Sequence, residues 1–168
     1  YRCMQCHAVV DKRLARQHTG GHILKAMRGV DEGITGTPPT SLPCGFCGRA
    51  GIEECTIYLT KKANPQAVSN CRLSTTFYYK KSLESTRSSP CTNTPIICRV
   101  PGCCAVVGNK QTAIWKYNME QHIRQSHQGY AAIPGVEEGV QVPIDMWRDM
   151  FITRNEEQKM GIPEEKIP

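Results

Sequence analysis

Sulfur paired with imidazole is the pattern that most limits what this chain can fold into. The stretches CMQCHAVVDKRLARQHTGGH near the front and CRVPGCCAVVGNKQTAIWKYNMEQHIRQSH near the back each set two close cysteines ahead of two histidines at helical spacing. Two thiolates on a tight turn and two imidazoles about one helical turn apart form the donor set of a tetrahedral zinc site. Disulfides would account for the ten cysteines but leave the histidine pairs unexplained. Metal ligation in a reducing compartment is therefore the expectation. The composition asks for such ties: 39% of residues are apolar, with 14 Gly and 11 Pro. A chain so rich in turns buries too little surface to be held by one large core.

Residues 1–30 read as a finger with the order Cys3-x2-Cys6-x11-His18-x3-His22. His18 and His22 share a helical face, and Tyr1, Val10, Leu14 and Ile23 can supply apolar contacts. The Gly20-Gly21 pair inside the histidine interval weakens that helix by about 1 kcal/mol per glycine relative to alanine. His7 is a spare imidazole beside Cys6. Lys12, Arg13 and Arg16 fall in the half of the helix that would face a nucleic-acid groove.

Residues 40–95 contain PCGFCGR, a knuckle in which Cys44 and Cys47 sit on a turn permitted by Gly45 and Gly48. The runs CTIYLTKK and CRLSTTFYYKK alternate like strands of a hairpin. One face carries Cys55, Ile57 and Leu59 with Cys71, Leu73, Thr75, Phe77 and Tyr79. The other carries Tyr58, Thr60 and Lys62 with Arg72, Tyr78 and Lys80, a surface able to stack bases and neutralise phosphates. Cys71 and Cys91 are expected to complete a four-cysteine site, with Cys55 as the alternative to either and as a small buried apolar residue otherwise.

Residues 96–128 give a second finger, Cys98-x4-Cys103-x18-His122-x4-His127, with Cys104 as a rival to Cys103. Trp115, Met119, His122 and Ile123 make one helical stripe, and VVGNKQT is expected as a loop before it. Lys116 and Arg124 are outward candidates for phosphate contact. Residues 129–168 lack cysteine and histidine and are acidic. PIDMWRDMF reads as an amphipathic helix presenting Trp147, Met150 and Phe151. A second helix starts from a capping box of Thr153 with Glu156 and ends at Gly161. Forty residues cannot bury much alone, so this tail is expected to dock on the body.

The sum is a small α+β, metal-stabilised fold: two finger-like units flank a four-cysteine hairpin unit and a short helical tail follows, with three structural zinc ions. Residues 1–128 carry 17 Lys+Arg against 7 Asp+Glu, whereas residues 129–168 carry 4 against 8. A basic body suits a polyanion, so DNA binding in the nucleus is the leading expectation and protein–protein contact within a larger protein the alternative. No stretch reaches the roughly 18 apolar residues of a membrane span, and no small-molecule substrate is implied. Catalysis is not expected, because each proposed site is filled by four protein ligands and Glu120, two residues from His122, points away from it on a helix.

The stretches HTGGHILKAMRGV, PCGFCGRAG, PCTNTPIIC, WKYNMEQHI and MGIP, in that order, resemble a group of cysteine-rich two-cysteine, two-histidine zinc-finger proteins of mushroom-forming fungi. The resemblance spans most of the chain, and PCGFCGR together with WKYN is its most specific part. It implies zinc binding and an association with transposons, and assigns no activity to any residue. CRVPGCC is longer than the C-x2-C such a group would carry there.

Overall fold

Two hairpin-like turns of the same design hold the first two cysteine pairs. The computed structural model describes residues 1–34, 41–133 and 135–168. In the first turn the Cys3 amide donates to Ala8 O at 2.9 Å, His7 N donates to Cys3 O at 3.0 Å, and the flanking strands close through Val10 N to Tyr1 O at 2.8 Å. In the second, Cys44 N donates to Arg49 O and Gly48 N to Cys44 O, each at 2.8 Å. Each turn also aims the amide two residues on at the leading sulfur, Gln5 N to Cys3 and Phe46 N to Cys44, both at 3.4 Å. Gly48 takes the positive φ this turn requires, at 74°, and His7 occupies the matching position with φ 59° despite its side chain. Gly45, expected to serve the turn, has another role: a Cβ there would lie 2.5 Å from the Trp115 ring.

A 3-10 turn at Lys12–Leu14, capped by the Asp11 carboxylate on Arg13 N, leads into helix α1, Ala15–Met27. This helix is central to the molecule. Ala15, Arg16, Thr19, Gly20, His22, Ile23 and Leu24 are buried, and only Ala26 along its length is exposed. Gly20 faces Cys91, whose sulfur would stand 2.5 Å from an added Cβ, whereas a Cβ on Gly21 would meet nothing nearer than Met160 at 3.8 Å.

Strand β1, Tyr58–Thr60, pairs antiparallel with β2, Ala67–Val68. The expected second hairpin strand, CRLSTTFYYKK, does not form. Ser74 N donates to Cys71 O at 2.8 Å, so the chain turns immediately after Cys71, and Lys80–Leu83 is a 3-10 turn. The other edge of β1 is taken by a later segment. After β3, Pro95–Ile96, the strands β4, Val106–Val107, and β5, Lys110–Thr112, form a hairpin across Gly108-Asn109, and β5 pairs antiparallel with β1 to give the order β2-β1-β5-β4. The stretch expected as a loop is thus part of the main sheet. Strand β6, Ile114–Trp115, pairs with β3, so Trp115 is extended rather than on the helical stripe. Helix α2, Met119–Ser126, follows a 3-10 turn at Lys116–Asn118. Strands β7, Tyr130–Ala131, and β8, Val140–Gln141, form a parallel pair.

The tail adds helix α3, Ile144–Met150, and helix α4, Arg154–Lys159. Thr153 caps α4 through its hydroxyl on Glu156 N at 3.2 Å. Gly161 closes α4 with φ 78°, Ile162 N reaching Glu157 O at 3.0 Å. The result is a small α+β fold with three apolar clusters among the described residues. One surrounds Phe46 and Trp115 and takes in Ala15, Leu59 and Leu73. A second joins Ile96, Met119, Ile123 and Met146. The third joins Leu24, Cys91, Tyr117 and Ile162. Every cluster draws side chains from segments distant in sequence, and Met146 and Ile162 bring the tail into two of them.

Candidate metal centres

Among the described residues three groups of four side chains converge, each with its ligand atoms within 4.8 Å of one another: Cys3, Cys6, His18 and His22; Cys44, Cys47, Cys55 and Cys71; Cys98, Cys103, His122 and His127. In the first, the knuckle presents the sulfurs and α1 presents both imidazoles, with Cys6 Sγ to His18 Nε2 at 3.4 Å and the two Nε2 atoms 3.2 Å apart. His22 turns its other nitrogen, Nδ1, to Glu32 Oε2 at 2.7 Å, and Lys25 Nζ holds the second oxygen of Glu32 at 3.0 Å. A carboxylate behind a ligating histidine fixes the ring and raises its basicity. Glu32 carries no signal in the cysteine–histidine spacing.

The second group corrects the expectation for Cys91. Cys55, at the end of a 3-10 turn Glu53–Cys55, lies 3.6 Å from Cys47 Sγ, and Cys71 arrives from the turn after β2. Cys91 is instead sealed against α1 in the third apolar cluster, its sulfur 3.9 Å from Arg16 O. The residues between Cys47 and Cys55 form a loop and a short turn that bring the later sulfur back, so closeness in sequence is no obstacle. A hydrogen bond from Cys44 and the Arg49 guanidinium hold the Cys47 thiol well below its ordinary range, while Cys44 is pushed up by the same contact and by burial.

In the third group Cys98 Sγ meets His127 Nε2 at 3.5 Å, Cys103 Sγ meets His122 Nε2 at 3.2 Å, and the two Nε2 atoms are 3.2 Å apart. Cys104 is outside it. Burial, then His127, pushes His122 down to about 4, so its ring is neutral, the form that binds metal. Burial raises the thiols of Cys3 and Cys98 and takes Cys103 to about 11 and Cys55 to about 12. A divalent cation held by these ligands would reverse that preference and favour the thiolates.

These separations discriminate between kinds of tie. With Zn–N near 2.0–2.1 Å and Zn–S near 2.3 Å, tetrahedral edges are about 3.4 Å between nitrogens, about 3.6 Å between nitrogen and sulfur, and about 3.8 Å between sulfurs. The N···N, N···S and S···S distances above fall within a few tenths of an ångström of them. Disulfide bonding requires sulfurs about 2.05 Å apart, and all ten cysteines are free thiols. The donor sets, two of paired cysteines and histidines and one of four cysteines, can therefore each hold a metal ion. No protein-family model, curated protein or solved structure matches the chain.

The five cations expected to contact nucleic acid fall into three situations. Lys12 and Arg13 are exposed, Arg13 bound to Asp11 at 2.7 Å, and this partner holds Asp11 down to about 2. Arg16 and Lys116 are not available for phosphate. Arg16 is 7% exposed, donates to Cys91 O and Asn93 O at 3.1 and 3.2 Å, and stacks over Phe77. Lys116 is 8% exposed and donates to Thr92 Oγ1 at 2.8 Å, burial lowering its ammonium. Thr92 also donates to Glu156 at 2.6 Å, and Tyr117 Oη donates to the same carboxylate. Arg124 is on the surface but engaged by Glu120 at 2.6 Å and Glu137 at 2.5 Å.

Proposed function

We propose that the three clusters are structural zinc centres, two finger-like and one four-cysteine, and that the body they hold binds nucleic acid through its central segment. Four protein ligands per centre leave no open coordination position, so the metals hold the fold and do not perform catalysis. The observation that carries the binding reading is where the charge lies. Residues 56–119 contain nine Lys or Arg, and Glu84 is their only carboxylate. Lys116 is buried, and Arg99 is paired with Asp145 and Asp149 of the tail. The remaining seven are at the surface, and two of them lie over aromatic rings: Lys110 Nζ is 4.5 Å from the Tyr58 ring centroid and Lys81 Nζ 5.4 Å from that of Tyr78. The tail's acids meanwhile fold back onto cations of the body, Glu157 on Arg28 and Glu137 on Arg124.

Phosphate-driven binding weakens steeply with salt, in proportion to the phosphates neutralised. Titrating labelled duplex and single-stranded oligonucleotides at two salt concentrations tests the reading. Binding should be detectable at low salt and weaken steeply at moderate salt, and replacing Lys61, Lys62 and Lys110 with Gln should flatten the slope. Absence of any binding at low salt would reject it. A protein partner is then the second reading, favoured by the outer face of α3, where Ile144 and Phe151 are 67% and 52% exposed.

A further inference from the structure

Resting on that reading, we infer that the nucleic acid is single-stranded and that one of its bases stacks on Tyr78. The finger helices are closed to a duplex groove. In helix α1 Arg16 is buried, Lys25 is held by Glu32 and only Ala26 is fully exposed, and the one cation of α2, Arg124, is held by two glutamates. Tyr78 projects further into solvent than any other aromatic side chain among the described residues. It is 80% exposed, although both neighbours point inward. Phe77 packs edge-on to Phe46 with centroids 6.4 Å apart and lies under Arg16, and Tyr79 Oη donates to Pro95 O at 2.9 Å. The backbone at Tyr78 is therefore pinned from both sides while its ring projects into solvent, with the Lys81 ammonium 5.4 Å from its centroid.

The charges around this ring suit a backbone of phosphates. Lys80 and Lys81 lie in the 3-10 turn that follows. Ser82 of that turn accepts from Arg16 Nη2 at 3.4 Å, which sets the turn against the start of α1, where Lys12 is exposed one helical turn before Arg16. Of the carboxylates near this surface, Glu84 follows the turn, Asp11 is neutralised by Arg13, and Asp149, whose charge reaches Tyr79, is paired with Arg99. A projecting aromatic flanked by cations matches the way single strands are bound, bases on π-faces and phosphates on Lys and Arg, with little sequence preference. An acidic peptide would use the cations but gain nothing from the free ring.

The test uses the full, zinc-loaded chain and measures anisotropy of labelled single-stranded DNA, single-stranded RNA and duplex DNA, with polyglutamate as competitor. Single strands of at least one type should bind more tightly than duplex. Tyr78→Ala should weaken that binding about 5- to 100-fold without changing the salt slope, and Tyr78→Phe should restore it. Lys80→Gln with Lys81→Gln should instead flatten the slope, by about one to two in log–log terms. Because Tyr78 is so exposed, these variants should retain the parent's metal count by native mass spectrometry. Unchanged single-strand affinity in Tyr78→Ala, an equal loss for duplex, or polyglutamate binding as tight and as dependent on the ring would each overturn the inference. In those cases salt-dependent oligonucleotide binding would leave the broader reading standing; no oligonucleotide binding at low salt overturns both.

Discussion

At the scale of single residues, adjacent or similar positions carry opposite demands, and substitutions can separate them. Gly20 and Gly21 both weaken α1 by propensity, yet only Gly20 is held to glycine by a neighbour, the Cys91 sulfur. We predict that Gly20→Ala destabilises the protein by about 1–3 kcal/mol through overpacking. Gly21→Ala should stabilise it by up to about 1 kcal/mol. Denaturant unfolding of the two variants at fixed zinc checks both signs; equal effects would deny the Cys91 contact. Cys55 and Cys91 form a second such pair. Cys55→Ala should abolish the fully loaded species in native mass spectrometry, because Cys55 closes the four-cysteine group. Cys91→Ala should leave the bound-metal count unchanged, and the reverse result would restore the ligand set expected from spacing alone. Glu32 acts through His22 rather than on the ion. Glu32→Gln should cost about 10- to 100-fold in metal affinity at the first centre, read by chelator competition as loss of the fully loaded chain at correspondingly weaker chelation. An unchanged affinity would reduce the Glu32–His22 contact to packing.

At the scale of elements, what can be read in advance follows local chemistry and what cannot depends on distant partners. Both histidine-bearing helices, both knuckles and both tail helices are written in short-range spacing: imidazoles about one helical turn apart, a Thr cap, a terminal Gly. The hairpin β4–β5 also has its sign in Gly108-Asn109 between Val107 and Lys110, a favoured two-residue turn, but the long interval before His122 invites a loop. The partner of β1 has no such sign, since CRLSTTFYYKK alternates well. What decides against it is Cys71, drawn into the four-cysteine group, and β5 arriving from 110 onward to occupy the edge. Arg16 and Lys116 carry no mark of burial either, because their partners, the carbonyls of Cys91 and Asn93 and the Thr92 hydroxyl, come from a segment at 91–93. The tail helix α4 is fixed by the same kind of long-range pairing. Glu157, almost fully buried, accepts from Arg28 at 3.0 and 2.5 Å. Removing one partner of a buried pair leaves a charge uncompensated, so Glu157→Gln should destabilise by about 3–5 kcal/mol. Replacing both, as Arg28→Met with Glu157→Met, should recover much of that loss. A double-mutant cycle by thermal unfolding decides it, and simple additivity would mean that the pair is not coupled.

For the whole molecule, the question is whether three metal centres make three beads or one body, and the placement of the apolar clusters answers in favour of one body. Phe46 of the second knuckle meets Trp115 at 5.0 Å between centroids, and its carbonyl accepts from Thr19 Oγ1 of α1 at 3.0 Å. Leu24 of α1 shares a cluster with Tyr117 and with Ile162 of the tail. No centre can be opened without exposing side chains that a neighbouring segment needs. The magnitudes agree: one structural zinc is worth about 10–16 kcal/mol in an isolated finger, as much as the entire stability of a typical domain, about 5–15 kcal/mol. Losing a single ion is then enough to unfold all of it. We predict that graded chelation, followed by native mass spectrometry and near-ultraviolet circular dichroism, gives a mixture of fully loaded folded chains and metal-poor unfolded ones. Trp115 in the first cluster and Trp147 against the second should lose their signals together, since both clusters abut segments carrying ligands. Cys44→Ser, which disables only the middle centre, should have the same effect on the environment of Trp147, far along the chain. Stepwise release of three ions, with the signal of Trp147 intact after the first, would show that the centres fold as independent units.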